Sequence, residues 1–206
     1  MSIKANKGEW GEPYVAIRVL GEGKLYIADA DGNKNPHEWM DIVELIRHET
    51  MERIVTYRCK EEDLLIDIDV NGKLVLSVSA SEFLAMADKL AAEIKSAKGS
   101  SFNVSEDITD FLTKIELKHI KAKSIDKSDV FLSVRDPRAS ITRKHIGFSI
   151  KSEFGQNPTL FNTAKASAVV YKVTGMTDEL MGKVNSLVDE KGHAAVSERC
   201  DTMVAN

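Results

Sequence analysis

Asn71-Gly72 stands between two apolar-rich runs, Leu64 to Val70 and Lys73 to Val78. Both residues tolerate positive φ, which a two-residue hairpin turn demands, so the pair predicts an antiparallel hairpin. Ser79 and Glu82 follow at the spacing of a capping box, and Phe83, Met86, Ala87, Leu90 and Ile94 form one stripe of a helix running to about Lys98. A hairpin feeding an amphipathic helix belongs to a layered α/β arrangement, in which each element buries its apolar side against the other.

The rest of the chain continues the alternation. Residues 7 to 20 read as a helix, with Trp10, Tyr14, Ile17 and Leu20 at three- and four-residue steps, Pro13 in its first turn and Gly21 at its end. Lys24 to Ala28 reads as a short strand, followed by turns at Asp31-Gly32-Asn33 and Asn35-Pro36. His37 to Thr50 fits either a helix or an extended segment, and Ile54 to Arg58 fits a strand. A further helix follows Ser105. Asp129 to Val134 and Ile146 to Lys151 are β-rich around a turn at Asp136-Pro137, Ala168 to Val173 is another strand, and Asp178 to Glu190 is an amphipathic helix. The expectation is a central mixed β-sheet flanked by helices, with the Asn71-Gly72 hairpin as a decoration. At 206 residues and 43% apolar content, this is one large domain or one domain with a small appendage.

The formal charge of −4 hides an uneven distribution. Residues 112 to 151 hold ten Lys/Arg and four Asp/Glu, a local +6 against −10 for the remainder. Such an island can attract a polyanion while the acidic remainder keeps the protein in solution. Lys114, Lys118, Lys121 and Lys123 also fit the solvated side of a helix end, the reading that charge alone favours. No apolar run is long enough to span a membrane and Met1 to Gly11 has no secretory pattern, so a cytoplasmic location is expected. Cys59 and Cys200 are far apart, which predicts two reduced thiols and no structural zinc site.

Several familiar chemistries lack their residues. Gly21-Glu22-Gly23-Lys24 has neither the spacing nor the hydroxyl of a phosphate-binding loop, since Leu25 follows the Lys. His37, His48, His119, His145 and His193 are scattered, and Ser77, Ser79 and Ser81 sit in no nucleophile elbow. The informative set is Lys7-Gly8-Glu9-Trp10-Gly11-Glu12, Asp129 opening an apolar strand, and Gly147-Phe148-Ser149-Ile150-Lys151-Ser152 on the next. An acid and a Lys on adjacent strands suit metal-dependent phosphodiester hydrolysis. The carboxylate holds Mg2+, the metal neutralises charge on the phosphate, and the ammonium orients or helps deprotonate water. Strand alternation puts Ser149 and Lys151 on one face and Ile150 on the other, leaving the Ile150 carbonyl available to the metal. Such sites usually carry an acid where Ser149 stands, so a second acid must come from elsewhere, and Glu9 or Glu12 can supply it. Each part has a structural reading too: a strand start at Asp129, a strand end at Lys151, and glutamates favouring a helix N-terminus. Spacing alone leaves both open.

Together these segments resemble the HpaII family of type II restriction endonucleases, within the PD-(D/E)XK nuclease group. The resemblance runs from about residue 6 to 175. It rests on Asn6 to Glu12, Gly23-Lys24-Leu25-Tyr26, Lys127-Ser128-Asp129-Val130, Asp136-Pro137-Arg138, and Gly147 to Gly155 followed by Thr159-Leu160-Phe161-Asn162. It implies a restriction-endonuclease-like α/β core over residues 1–175, with 176–206 as a C-terminal helix and tail of the same domain. It also implies Asp129 and Lys151 as the Asp and Lys of the nuclease motif, with Ser149 in the place of the middle acid. Glu9 or Glu12 completes the metal site, for which Asp129, Glu9 and the Ile150 carbonyl are the ligands, and Asp136 is a lesser candidate. The implied activity is Mg2+-dependent cleavage of double-stranded DNA at a short palindrome, CCGG in the namesake, by a possible homodimer in a cell with a matching DNA methyltransferase. A non-catalytic DNA-binding remnant is the alternative. Lys144, Gln156, Asn157, Asn162 and Lys165 have suitable chemistry for DNA contact near the motif. Relatives of this kind are longer, so a fragment or shortened relative is expected.

Overall fold

The computed structural model describes residues 4–60, 62–120, 128–151, 154, 174–188 and 195–204. The chain divides into two compact units, Met1–Thr159 and Leu160–Asn206. The first contains α1 (Lys7–Glu22), β1 (Lys24–Ala28), β2 (Lys34–His48), β3 (Ile54–Lys60), β4 (Leu65–Val70), β5 (Lys73–Ser79), α2 (Ala80–Ser96), α3 (Glu106–Lys114), β6 (Val130–Asp136) and β7 (Ile141–Phe148). The second contains α4 (Asp178–Ser186) and α5 (Val196–Val204). The expected helix to Glu190 stops early: Leu187 takes extended backbone at the C-cap, while Glu190 lies outside the described residues. The short α5 was not anticipated. No helix among the described residues is long and apolar enough to cross a membrane.

Among the described residues seven strands form one sheet in the order β5-β4-β3-β2-β6-β7, with β1 also paired to β2. Every pairing among these strands is antiparallel, where a mixed sheet was expected. Short returns link most neighbours, and such returns permit only antiparallel pairs. The strand expected at Ala168 to Val173 lies outside the described residues. The Asn71-Gly72 turn has φ of 50° and 80° at its two residues, as a type I′ turn requires. Its hairpin is no decoration, because β4 joins the sheet through β3.

The ambiguous segment becomes β2, at 15 residues the longest strand among the described residues. It pairs with β1 and β3 in succession along one edge and with β6 along the other, so the sheet's ladders override its mixed pattern. Pro36, expected in a turn, is inside β2 where the β1 register shifts between Tyr26 and Ala28, a place where a missing N–H costs no ladder bond.

Helix α1 starts one residue after Asn6. The Asn6 side chain accepts from the Glu9 N–H, and the Glu9 carboxylate accepts from the Asn6 N–H, both at 2.9 Å. This capping box fixes the start, so Pro13 falls inside the helix rather than in its first turn. The helix ends at Gly23, at φ 62°, instead of Gly21. Gly21 serves a different need: a Cβ there would meet Leu84 at 2.9 Å, so its lack of side chain lets α1 approach α2.

One cluster of buried side chains joins Trp10, Ile17 and Leu20 of α1, Phe83, Ala87, Leu90 and Ile94 of α2, and Ile108 and Phe111 of α3 to one side of the sheet. On that side Ile146, Leu132, Leu45, Tyr57, Ile68 and Leu76 stand opposite one another in a row across six strands. The next row is polar throughout: Ser133, Glu44, Arg58, Asp67 and Ser77. Ser133 donates to Glu44 at 2.8 Å, Arg58 pairs with Glu44 at 3.7 Å and with Asp69, and Ser77 donates to Asp67 at 2.5 Å. The Lys60 and Ser77 hydrogen bonds hold the Asp67 carboxyl below its usual range.

At one end of the sheet an ion pair is wholly buried. Arg47 Nε lies 2.7 Å from Glu49 Oε1, with both side chains at 0% exposure. Arg47 Nη2 donates to the carbonyls of His119 at 2.5 Å and Ile120 at 2.7 Å. Glu49 Oε2 accepts the backbone N–H groups of Lys118 and His119. The Tyr57 hydroxyl donates to the Ile115 carbonyl, and burial pushes its phenol far above the ordinary value. The stretch from Ile115 to Ile120 is thereby tied to β2 and β3.

Candidate active site

Strands β6 and β7 bring the two halves of the motif together where their ladder ends. The expected strand from Ile146 to Lys151 begins earlier and stops earlier, at Ile141 and Phe148, because backbone pairing with β6 runs through the exposed Ile141 to His145 irrespective of side-chain polarity. Asp129 therefore lies just before β6 and Lys151 beyond β7. The Asp129 N–H donates to the Phe148 carbonyl at 2.9 Å, and the Ile150 N–H donates to Asp129 Oδ2 at 2.6 Å. A carboxylate thus replaces the backbone acceptor that a longer strand would supply.

Gly147 makes this junction possible. A Cβ there would overlap Ser128 Oγ and come 3.4 Å from the Phe131 ring. Gly147→Ala is expected to push Ser128 aside and loosen the adjoining Asp129, lowering any Asp129-dependent activity at least tenfold with little loss of thermal stability; unaltered activity would show that the close approach is incidental. Ile150 packs against the core cluster while Ser149 and Lys151 are exposed, as alternation predicted. Among the described residues Lys151 has no ion-pair partner.

The opening helix also reaches this region. Phe154, three residues after Lys151, meets the Tyr14 ring edge-on at 5.1 Å between centroids. Of the two expected glutamates, Glu9 carries the capping box described above, and Glu12 follows one turn later, half-buried. The Asn6–Glu9 box is legible in the sequence as Asn-x-x-Glu, and it makes specific the helix N-terminal role that charge alone suggested for these glutamates. Asp136 is turned to other work: it accepts from the Arg138 backbone N–H at 2.9 Å and from its guanidinium, which holds its carboxyl below the usual range. Among the described residues no three His, Cys, Asp or Glu side chains converge as a ligand set.

Of the residues expected at DNA, Lys144 is exposed on β7. Gln156, Asn157, Asn162 and Lys165 lie outside the described residues.

Residues 6–206 match the profile of the HpaII restriction endonuclease family. The type II restriction enzyme HpaII of Haemophilus parainfluenzae is 34% identical over 186 residues, 90% of this chain and 51% of that one. The chain thus spans about half the length of this relative. No solved structure matches it.

Proposed function

Because the chain belongs to the HpaII restriction endonuclease family, we propose that it is a type II site-specific deoxyribonuclease. Its substrate is double-stranded DNA with a short palindrome, CCGG by resemblance to the namesake, cut by a homodimer in a cell that carries the matching methyltransferase. The observation that supports this reading best is the Asp129 carboxylate held at 2.6 Å by the Ile150 N–H. The Ile150 carbonyl, expected as a further ligand, belongs to the residue whose N–H bonds that carboxylate. One or two carboxylates, a carbonyl and water are oxygen donors of the kind Mg2+ accepts, so the residues fit that ion. Bound there, Mg2+ supplies charge neutralisation at the scissile phosphate.

The chain's own groups do the rest. Lys151, exposed and without an ion-pair partner among the described residues, orients the attacking water and offsets charge developing on the phosphate. Asp129 keeps its orientation through the Ile150 N–H, so its free energy of positioning is met by the fold before substrate arrives. Ser149 contributes a neutral hydroxyl where related sites carry an acid, and Glu9 or Glu12 supplies the missing charge. Hydrolysis leaves a 5′-phosphate and a 3′-hydroxyl. Incubating the protein with plasmid in Mg2+ or EDTA tests the reading: discrete, metal-dependent fragments are expected. A gel shift without cleavage would make it a non-catalytic DNA-binding member of the family instead.

Glu9→Gln separates the two roles of that residue. Glutamine also serves in a capping box, and losing a charge in the first helical turn costs only ~0.3–1 kcal/mol. A ligand or its supporting group is worth roughly 10–100-fold in metal affinity or activity. Glu9→Gln or Glu12→Gln should therefore shift the Mg2+ titration of cleavage by that factor with a stability loss of no more than ~1 kcal/mol. Two curves that overlay wild type would take α1 out of the site.

A further inference from the structure

The geometry points to the bulged part of β7 as a rail for the phosphate backbone of duplex DNA, with Arg143 and Lys144 as its contacts, an assignment that rests on the nuclease reading above. Residues 135–151 carry five Lys/Arg and one Asp. Two of these cations are already engaged. Arg135 pairs with Asp41 at 3.0 Å, and Arg138 pairs with Asp136 and Glu38. Arg143 and Lys144 are exposed and have no ion-pair partner among the described residues. The net positive charge of the segment is therefore concentrated on them and on Lys151.

The backbone presents them in an unusual way. Leu132 stands opposite Ile146 and Val134 opposite Arg143, so Lys144 and His145 together face Ser133 alone. This is a β-bulge in which Lys144 and His145 share the face of Ser133 while Arg143 keeps the face of Val134, so the two cations leave β7, at the end of the strand order, on either side of the sheet edge. His145 adopts φ 54°, a left-handed conformation that a non-glycine residue takes only when its surroundings hold it there. Its N–H donates to Ser133 Oγ at 3.4 Å, and its Nε2 lies 3.5 Å from Glu44, which Ser133 also bonds. The bulge is thus tied into the polar row across the sheet, and the two cations extend from an anchored strand.

The chain then continues past the end of β7 to Lys151. Lys144 and Lys151 are seven residues apart, at most roughly 23 Å at the rise of an extended chain. One DNA strand places a phosphate every ~3.4 Å of helix axis, so the rail lies within about seven phosphates of the scissile one. Contacts of this type position a duplex without reading its sequence.

The test uses the full chain, a 30-base-pair duplex and fluorescence anisotropy in EDTA between 50 and 200 mM salt, alongside plasmid cleavage in Mg2+. Each phosphate contact contributes about −0.9 to the slope of log affinity against log salt. The double variant Arg143→Ala/Lys144→Ala should therefore lose about 1.8 from that slope, roughly a twelvefold smaller change across the range. Arg143→Lys with Lys144→Arg should keep the slope. Lys73→Ala, on β5 at the far end of the sheet order, should also keep it. An unchanged slope in the double variant, or an equal loss per charge in Lys73→Ala, overturns the rail while wild-type cleavage leaves the nuclease reading standing. A reduced slope in a protein that never cleaves supports the rail and removes the nuclease. Wild type without salt-dependent affinity overturns the rail.

Discussion

Lys151→Ala and Asp129→Asn are each expected to reduce Mg2+-dependent cleavage by at least ~10²–10³, the usual effect of removing one preorganised charge from a site where charge develops. Neither should unfold the protein. Lys151 is exposed beyond the end of β7, so its loss removes no packing. Asparagine retains an acceptor for the Ile150 N–H, so Asp129→Asn removes the charge and keeps the junction. Asp129→Ala removes both, and should add a local loosening that hydrogen exchange at Ile150 would detect. The two single losses should not multiply, because the carboxylate and the ammonium serve one reaction coordinate and either deletion already forfeits it. Cutting at the wild-type rate by Lys151→Ala or Asp129→Asn would reject the assignment, whatever the family.

Glu49→Ala should be the most damaging substitution for stability. Arg47 and Glu49 are both fully buried, and deleting the acid leaves a guanidinium in the interior with only backbone carbonyls for company. Breaking one member of such a pair costs about 3–5 kcal/mol, a large share of a typical domain's stability. The substitution also removes the acceptor for the Lys118 and His119 N–H groups. Urea denaturation should show a midpoint lowered accordingly with little change in slope. The double replacement of Arg47 and Glu49 by Met and Leu should recover most of the loss, since an apolar pair of similar volume avoids the desolvation of both charges. A Glu49→Ala protein within ~1 kcal/mol of wild type would mean that water enters the pair.

Local signals in the chain that depend on neighbours in sequence could be read directly. Asn71-Gly72 needs only its own φ values, and the Ser79 cap and the Phe83 to Ile94 stripe need only one turn of helix. Signals that depend on partners from elsewhere were less legible. His37 to Thr50 looked ambiguous because β2 takes different neighbours along its length, and its pattern follows those neighbours more than a period of two. Arg47 and Glu49 look like surface residues in any one-dimensional reading, and their burial is explained only by each other and by the backbone groups of residues 118 to 120. Asp129 and Lys151 stood out by type and spacing, which left a structural reading open, and only the family resemblance gave them nuclease roles. The Ile150 N–H that holds Asp129, and the need for Gly147 beside Ser128, appear only when the strands are paired.

The alternation of a wholly apolar row with a wholly polar one across the sheet has a consequence for how the chain finds this arrangement. Slipping any one of the central strands by a single residue would exchange the two rows on that strand. For β2, Glu44 would go under the helices in the place of Leu45, and for β3, Arg58 would go there in the place of Tyr57. Each error would leave a charge without its partner in the driest part of the molecule and an apolar side chain in water. The sheet therefore specifies its own register: a misaligned pairing is penalised on both faces at once.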